Sequence, residues 1–279
     1  MRSGFVSFVG RPNVGKSTLL NAICGKKVSI VSDKPQTTRN RIRGVLTTAE
    51  TQLIFVDTPG IHKAVSALGE RVNATAIEST KDVDVVCLVI DATQTFGTGD
   101  KYVSNHIDMS KAVVILNKID RAEPAKILKQ LQALSSLGAA EYFPISAKTG
   151  DGVAELTAYL ATRMPEGELL YPAEMITETP DSVWIAELVR EQLLENTHEE
   201  LPYSIATRVT EYEPPRIRCE IVVERESQKG MVIGKNGAML KIIGTNVRRQ
   251  LPSGTFLELA VVVDKNWQQR PERVERLGY

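Results

Sequence analysis

The stretch Phe5-Val6-Ser7-Phe8-Val9-Gly10-Arg11-Pro12-Asn13-Val14-Gly15-Lys16-Ser17-Thr18-Leu19-Leu20 decides the fold. Five strand-forming residues run into G-x-x-x-x-G-K-[ST], Gly10 to Ser17, and a helical pattern, Lys16 to Cys24, follows directly. This is the context a phosphate-binding loop requires. The glycines let the backbone wrap an anion, and the loop amides and helix N-terminus converge on it. Lys16 is expected to reach the β and γ phosphates and the Ser17 hydroxyl to ligate Mg2+. Outward from this stretch, β-branched runs at Leu53 to Asp57, Val83 to Asp91, Ala112 to Asn117 and Glu141 to Ile145 alternate with helical patterns such as Ala122 to Leu137 and Val153 to Arg163. The alternation predicts an α/β domain over residues 1–163, a mostly parallel sheet with helices on both faces.

The base is read further along. Asn117-Lys118-Ile119-Asp120 directly follows the apolar run Ala112 to Leu116. A carboxylate at Asp120 can accept from guanine N1–H and from the exocyclic amine, whereas adenine would leave that charge unpaired. Lys118 can stack its stem on the base, and Ser146-Ala147-Lys148 can offer a backbone amide to the guanine carbonyl. Asp57-Thr58-Pro59-Gly60 ends a strand, which puts Asp57 near the metal and the Gly60 amide within reach of the γ-phosphate. Between these motifs lies Lys34-Pro35-Gln36-Thr37-Thr38-Arg39, polar and poorly periodic. There Thr38, in preference to Thr37, is expected to complete Mg2+ coordination and to release with the γ-phosphate. Ser17, Thr38 and Asp57 thus form the expected metal set.

Composition bounds the rest. The 279 residues, 42% of them hydrophobic, can build two cores, and 34 Lys and Arg balance 34 Asp and Glu, so any argument for a polyanionic partner must be local. Cys24, Cys87 and Cys219 are far apart and lack metal spacing, which reads as small buried thiols in a reducing cytosol. His62, His106 and His198 are scattered, without a nucleophile motif nearby. No apolar run approaches the roughly 20 residues of a spanning helix, and the first residues carry no leader pattern. A soluble cytoplasmic chain is expected, with peripheral contact at the inner face of the membrane left open.

Residues 164–180, with Pro165, Pro172 and Pro180, read as a linker, and residues 181–279 as a second domain. It opens with a helix, Ser182 to about Asn196, whose Val183, Ile185, Ala186, Val189, Leu193 and Leu194 make an apolar stripe opposite Glu187, Glu191 and Glu195. Strands Tyr203 to Glu211 and Ile217 to Glu226 follow, then Met231 to Gly237, a helix Ala238 to Gln250 and a strand Phe256 to Val263. Gly234-Lys235-Asn236-Gly237 alone means little. Its surroundings mean more: Ser227 to Leu257 holds Lys229, Lys235, Lys241, Arg248 and Arg249 and no acid, an anion-binding face. Ile233, Met239, Leu240, Ile242, Ile243 and Val247 read as mostly core. The tail, with Trp267, Arg270, Arg273 and Arg276, extends that surface or forms a solvated helix.

On these residues the chain resembles known families. Residues 4–163 are similar to a translation-factor-class GTPase domain, and Gln36-Thr37-Thr38-Arg39 with Asp57-Thr58-Pro59-Gly60 resembles the Era family. Ile61 stands where small signalling GTPases carry a water-orienting Gln, so slow intrinsic hydrolysis is expected, on the order of 10⁻⁴ to 10⁻² s⁻¹. The resemblance implies a potassium ion held through Asn13, and a catalytic set of Lys16, Thr38, Asn13 and Gly60. The second domain resembles a type II KH domain, whose glycine loop clamps about four nucleotides of a single strand. That implies RNA contact by Lys229, Ile233, Gly234, Lys235, Asn236, Gly237, Lys241 and Arg248. The combination implies a monomeric GTP/GDP switch acting on the 3′ end of 16S ribosomal RNA in assembly of the 30S subunit. A P-loop small-molecule kinase and a non-catalytic GTP-loaded adaptor are the alternatives; a relative with two G domains is disfavoured by the single P-loop.

Overall fold

The computed structural model describes residues 1–61 and 66–279; His62 lies outside them. The chain forms two compact units. The first takes in Met1–Val31 and Arg71–Glu178 with the strands between them, the second Thr179–Tyr279 with the short segment Ser32–Thr37 and residues 66–70.

The first unit is built on a six-stranded sheet of order β2-β3-β1-β4-β5-β6, from β1 (Arg2–Val9), β2 (Ile42–Thr47), β3 (Thr51–Asp57), β4 (Val85–Asp91), β5 (Val113–Asn117) and β6 (Glu141–Pro144). All neighbours pair parallel except β2 with β3. Helices α1 (Lys16–Cys24), α2 (Ala67–Glu78), α3 (Thr98–Ser104), α4 (Pro124–Leu134) and α5 (Val153–Arg163) connect the strands. Strand β5 shows why the apolar run is continuous. Val113 and Ile115 enter one core with Phe8 and Leu156, Val114 and Leu116 the other with Ile90 and Leu134, so both faces are covered. Phe8 and Phe55 stack across the first core at 5.4 Å, worth about 0.5–1.5 kcal/mol beyond burial. Successive strands leave β1 on opposite sides, which puts the loop after β1 at the point where strand order reverses, the usual crevice for a ligand.

Parts of the first unit differ from expectation. Strand β2 is absent from the sequence reading: Gly44 interrupts its apolar pattern, and it exists because its backbone pairs antiparallel with β3. Helices α2 and α3 fall in connections where helices are expected but without bounds. Residues 164–178, expected within a linker, are an ordered strap on the first unit. Gln52 Oε1 accepts the amides of Leu170 and Tyr171 at 2.8 and 2.9 Å, and the Val45 amide donates to the Ile176 carbonyl at 2.8 Å. The strap covers the otherwise open edge of β2, giving a periodicity-free segment backbone partners.

The second unit stacks α6 (Asp181–Asn196), α7 (Glu226–Ile233) and α8 (Ala238–Arg248) on a three-stranded sheet of order β7-β8-β9, from β7 (Ala206–Glu213), β8 (Arg216–Val223) and β9 (Phe256–Val263). β7 pairs antiparallel and β9 parallel with β8. Helix α6 is not the amphipathic surface helix expected. Residues Ile185 to Leu194 are all buried, Glu187 and Glu191 included, while Val183 is 41% exposed. Arg190, one turn on, compensates Glu187 at 2.6 Å. The tail is also corrected: Trp267 is 0% exposed and donates its Nε1–H to the Ser204 carbonyl at 3.1 Å. Its ring faces Tyr279 at 6.0 Å, and a last helix, α9 (Pro271–Arg276), buries Val274. The tail therefore closes the core.

Candidate functional site

The loop Gly10 to Ser17 links β1 to α1. Gly15 has φ 99°, and a Cβ there would stand 2.2 Å from Asn117 Nδ2, so both conformation and space require glycine. Lys16 is buried, its Nζ donating to the Arg11 and Gly10 carbonyls at 3.1 and 3.3 Å. Burial lowers its pKa from 10.5 to about 8, partly offset by Asp57. The Ser17 hydroxyl donates to Asp57 Oδ2 at 2.6 Å and lies 2.9 Å from Thr38 Oγ1. Burial pushes the Asp57 carboxyl up, opposed by Lys16, Ser17 and Ser29. Its Oδ1 is buried without a hydrogen-bond partner. Two hydroxyls and an orphaned carboxylate oxygen form the hard-oxygen set that suits Mg2+, so these residues fit the ion.

Thr37 stands apart. Its hydroxyl donates to the Lys34 carbonyl at 2.7 Å, and its own carbonyl accepts from Arg190 within the second unit. Gly60 packs so closely on Pro12 that a Cβ would fall 2.5 Å from the Pro12 nitrogen. Thr58 donates to the Phe8 carbonyl at 2.6 Å. Ile61 donates its amide to the Gly10 carbonyl at 3.2 Å, but its side chain is core, packed with Val9 and Leu88. Among the expected contact residues, its side chain is thus directed away from the loop.

The residues expected to read the base converge from the ends of β5 and β6. Asn117 is the tie: Nδ2 donates to the Val14 carbonyl at 2.9 Å and Oδ1 accepts the Ala147 amide at 2.9 Å. Ser146 donates to Asp120 Oδ1 at 2.7 Å, turning an exposed carboxylate into a fixed acceptor. Lys118, at φ 68°, donates to the Asn13 carbonyl and to Asp91 Oδ2 at 2.7 Å. Lys148 is exposed beside them. Asp91 escaped the sequence reading. Burial would raise its carboxyl, but hydrogen bonds from Lys118 and Thr93 hold it below the usual range. Its signal was its place at the end of β4, level with Asn117.

In the second unit, Gly234, Asn236 and Gly237 have φ of 73°, 52° and 75°, a sharp turn from α7 into α8. Lys235, Lys241 and Arg248 are exposed, Lys229 half-buried, and none is ion-paired among the described residues. Ile243 and Val247 are core, but Ile242 is 47% exposed, contrary to expectation, and Ile233 is half-buried near the turn. The three thiols are free, with Cys87 and Cys219 buried. Among the described residues there is no group of His, Cys and acids able to hold a metal, and no helix long and apolar enough to cross a membrane.

Family models match in the same two places: a 50S ribosome-binding GTPase over residues 5–118 and a KH domain over residues 200–268. GTPase Era of Mycobacterium sp. (strain KMS) is 43% identical, covering 100% of this chain and 99% of its own. The chain belongs to the Era family of GTPases. Era of Mycobacterium tuberculosis (strain ATCC 25177 / H37Ra) is 44% identical over 99% of this chain and 98% of its own. Two solved Era structures cover 100% of this chain and 99% of theirs. One, from Aquifex aeolicus and bound to GDP·AlF4⁻, has a TM-score of 0.95 at 38% identity; the other, with MgGDPNP and nucleotides 1506–1542 of 16S ribosomal RNA, 0.96 at 39%. Era-family membership makes this chain a GTPase with an α/β G domain and a KH domain, as the motifs led one to expect.

Proposed function

We propose that this GTPase is a nucleotide-controlled clamp on single-stranded RNA, acting at the 3′ end of small-subunit ribosomal RNA during assembly of the 30S subunit in the cytoplasm. The observation that carries it is the Gly234–Gly237 turn, set between two helices on a face with unpaired cations and no acid from Ser227 to Leu257. Glycines at positive φ let phosphates approach the turn, Lys229, Lys235, Lys241 and Arg248 supply charge, and Ile233 offers an apolar surface to the bases. At the other site GTP or GDP lies on residues 10–17, Gly60 meets the γ-phosphate, Ser17, Thr38 and Asp57 hold Mg2+, and Asp120 with Asn117, Lys118 and Ser146–Lys148 reads guanine. Asn13 supports a potassium ion that supplies charge in the transition state, while Ile61 leaves the site without a water-orienting Gln.

The test measures RNA capture by the full chain loaded with a GTP analogue or GDP, using an oligonucleotide of the 16S 3′ end. Wild type should bind more tightly with the GTP analogue, and Gly234→Asp and Gly237→Asp should lose binding while still hydrolysing GTP. RNA capture indifferent to both changes would sink the RNA reading. Identical hydrolysis in sodium and potassium buffers would remove the potassium assignment.

A further inference from the structure

Asp57 is held by a residue that belongs to none of the motifs. Ser29 lies between α1 and β2, is 0% exposed, and donates its hydroxyl to Asp57 Oδ2 at 3.1 Å. It is brought there by Asn21, which sits one turn after Ser17 on α1. The Asn21 Oδ1 accepts the amides of Val28 and Ser29 at 2.8 and 3.0 Å, and its Nδ2 donates to the Ser29 carbonyl at 2.8 Å. Val28 and Ile30, on either side, are buried and anchor the segment.

Two hydroxyls, Ser17 and Ser29, therefore converge on the same carboxylate oxygen, while Oδ1 has no hydrogen-bond partner. A carboxylate with both donors on one oxygen cannot rotate without breaking them, so it is held against Ser17, whose own oxygen lies 2.9 Å from Thr38 Oγ1. The Ser17 oxygen is itself an expected metal ligand; Ser29 reaches only the carboxylate. We propose that Ser29 is a positioning residue of the Mg2+–nucleotide site, fixing the Asp57 carboxylate beside Ser17 and Thr38, the other expected ligands of the cation. The assignment rests on the reading of Asp57 as metal-facing.

The test loads full-length wild type and Ser29→Ala with a fluorescent GDP analogue and records its release across a Mg2+ series, from excess EDTA to millimolar metal. Ser29→Ala should need roughly tenfold more Mg2+ to slow release half-way, with the rate in EDTA unchanged. An unshifted midpoint overturns the proposal, as does acceleration by the same factor with and without metal, which marks a loosened fold. Ser29→Cys, a similar volume with a weaker donor, should fall between the two and carries the same comparison if Ser29→Ala does not fold. Wild-type release that ignores Mg2+ would instead overturn the metal site itself, and Ser29's role with it.

Discussion

At Lys16 the loop holds a charge that its own burial disfavours. The ammonium has a pKa of about 8 rather than 10.5, because desolvation outweighs the attraction of Asp57. A folded-state value below the unfolded one means that the penalty for burying the charge is present below pH 8 and is relieved as pH rises from there toward 10.5. Bound phosphates restore the charge and raise the pKa, so nucleotide binding should take up a proton above that point. GDP affinity is expected to weaken as pH rises past about 8, by up to about tenfold per unit. Calorimetry in two buffers of different ionisation enthalpy should then show close to one proton taken up near pH 9 and almost none at pH 7. At Asp120 the acceptor is fixed by Ser146. Asp120→Asn puts an amide donor against guanine N1–H and should weaken GDP by roughly a hundredfold or more, while favouring a purine with a carbonyl at C2. Competition between GDP and xanthosine diphosphate for the variant measures this.

At the scale of the element, legibility followed the direction of burial. α1 and α5 have the bounds read from the sequence, Lys16–Cys24 and Val153–Arg163, because their apolar spacing already matches one buried face. β5 was legible as a strand because both its faces are core. Strand β2 was not, since an edge strand with a central Gly44 is defined by its ladder to β3 rather than by its own pattern. Helix α6 has the expected place but not the expected exposure. Its acidic residues looked like a solvent face until Arg190 supplied the countercharge. The turn between α7 and α8 gives a graded test. A Cβ on Gly234 would lie 2.9 Å from the Met239 amide nitrogen, whereas one on Gly237 meets nothing within 4 Å, although both φ are positive. Gly237→Ala should cost about 1 kcal/mol from backbone strain alone, and Gly234→Ala distinctly more. Urea unfolding of the two variants gives the ordering, and equal losses would contradict this geometry.

At the scale of the whole molecule, a chain of zero net charge carries its cations unevenly, and that is measurable. If Lys229, Lys235, Lys241 and Arg248 each neutralise one phosphate, the logarithm of RNA affinity should fall against the logarithm of salt with a slope of about −3. Lys241→Ala should reduce that slope by about 0.7 without changing base preference. Titrations between low and moderate salt decide it. The sequence by itself determined which chemistry to expect at each site: phosphate at residues 10–17, guanine at Asp120 and an anion at the acid-free face around Gly234. Those choices depend on residue type at short spacing, which the linear order preserves. Only the tertiary structure decided that Asn117 joins the phosphate loop to residues 146–148, and that Asp91 and Ser29 hold Lys118 and Asp57. Each of these is a hydrogen bond between residues far apart in the chain. Such bonds exist only once the sheet has brought the ends of its strands together, and no local pattern encodes them.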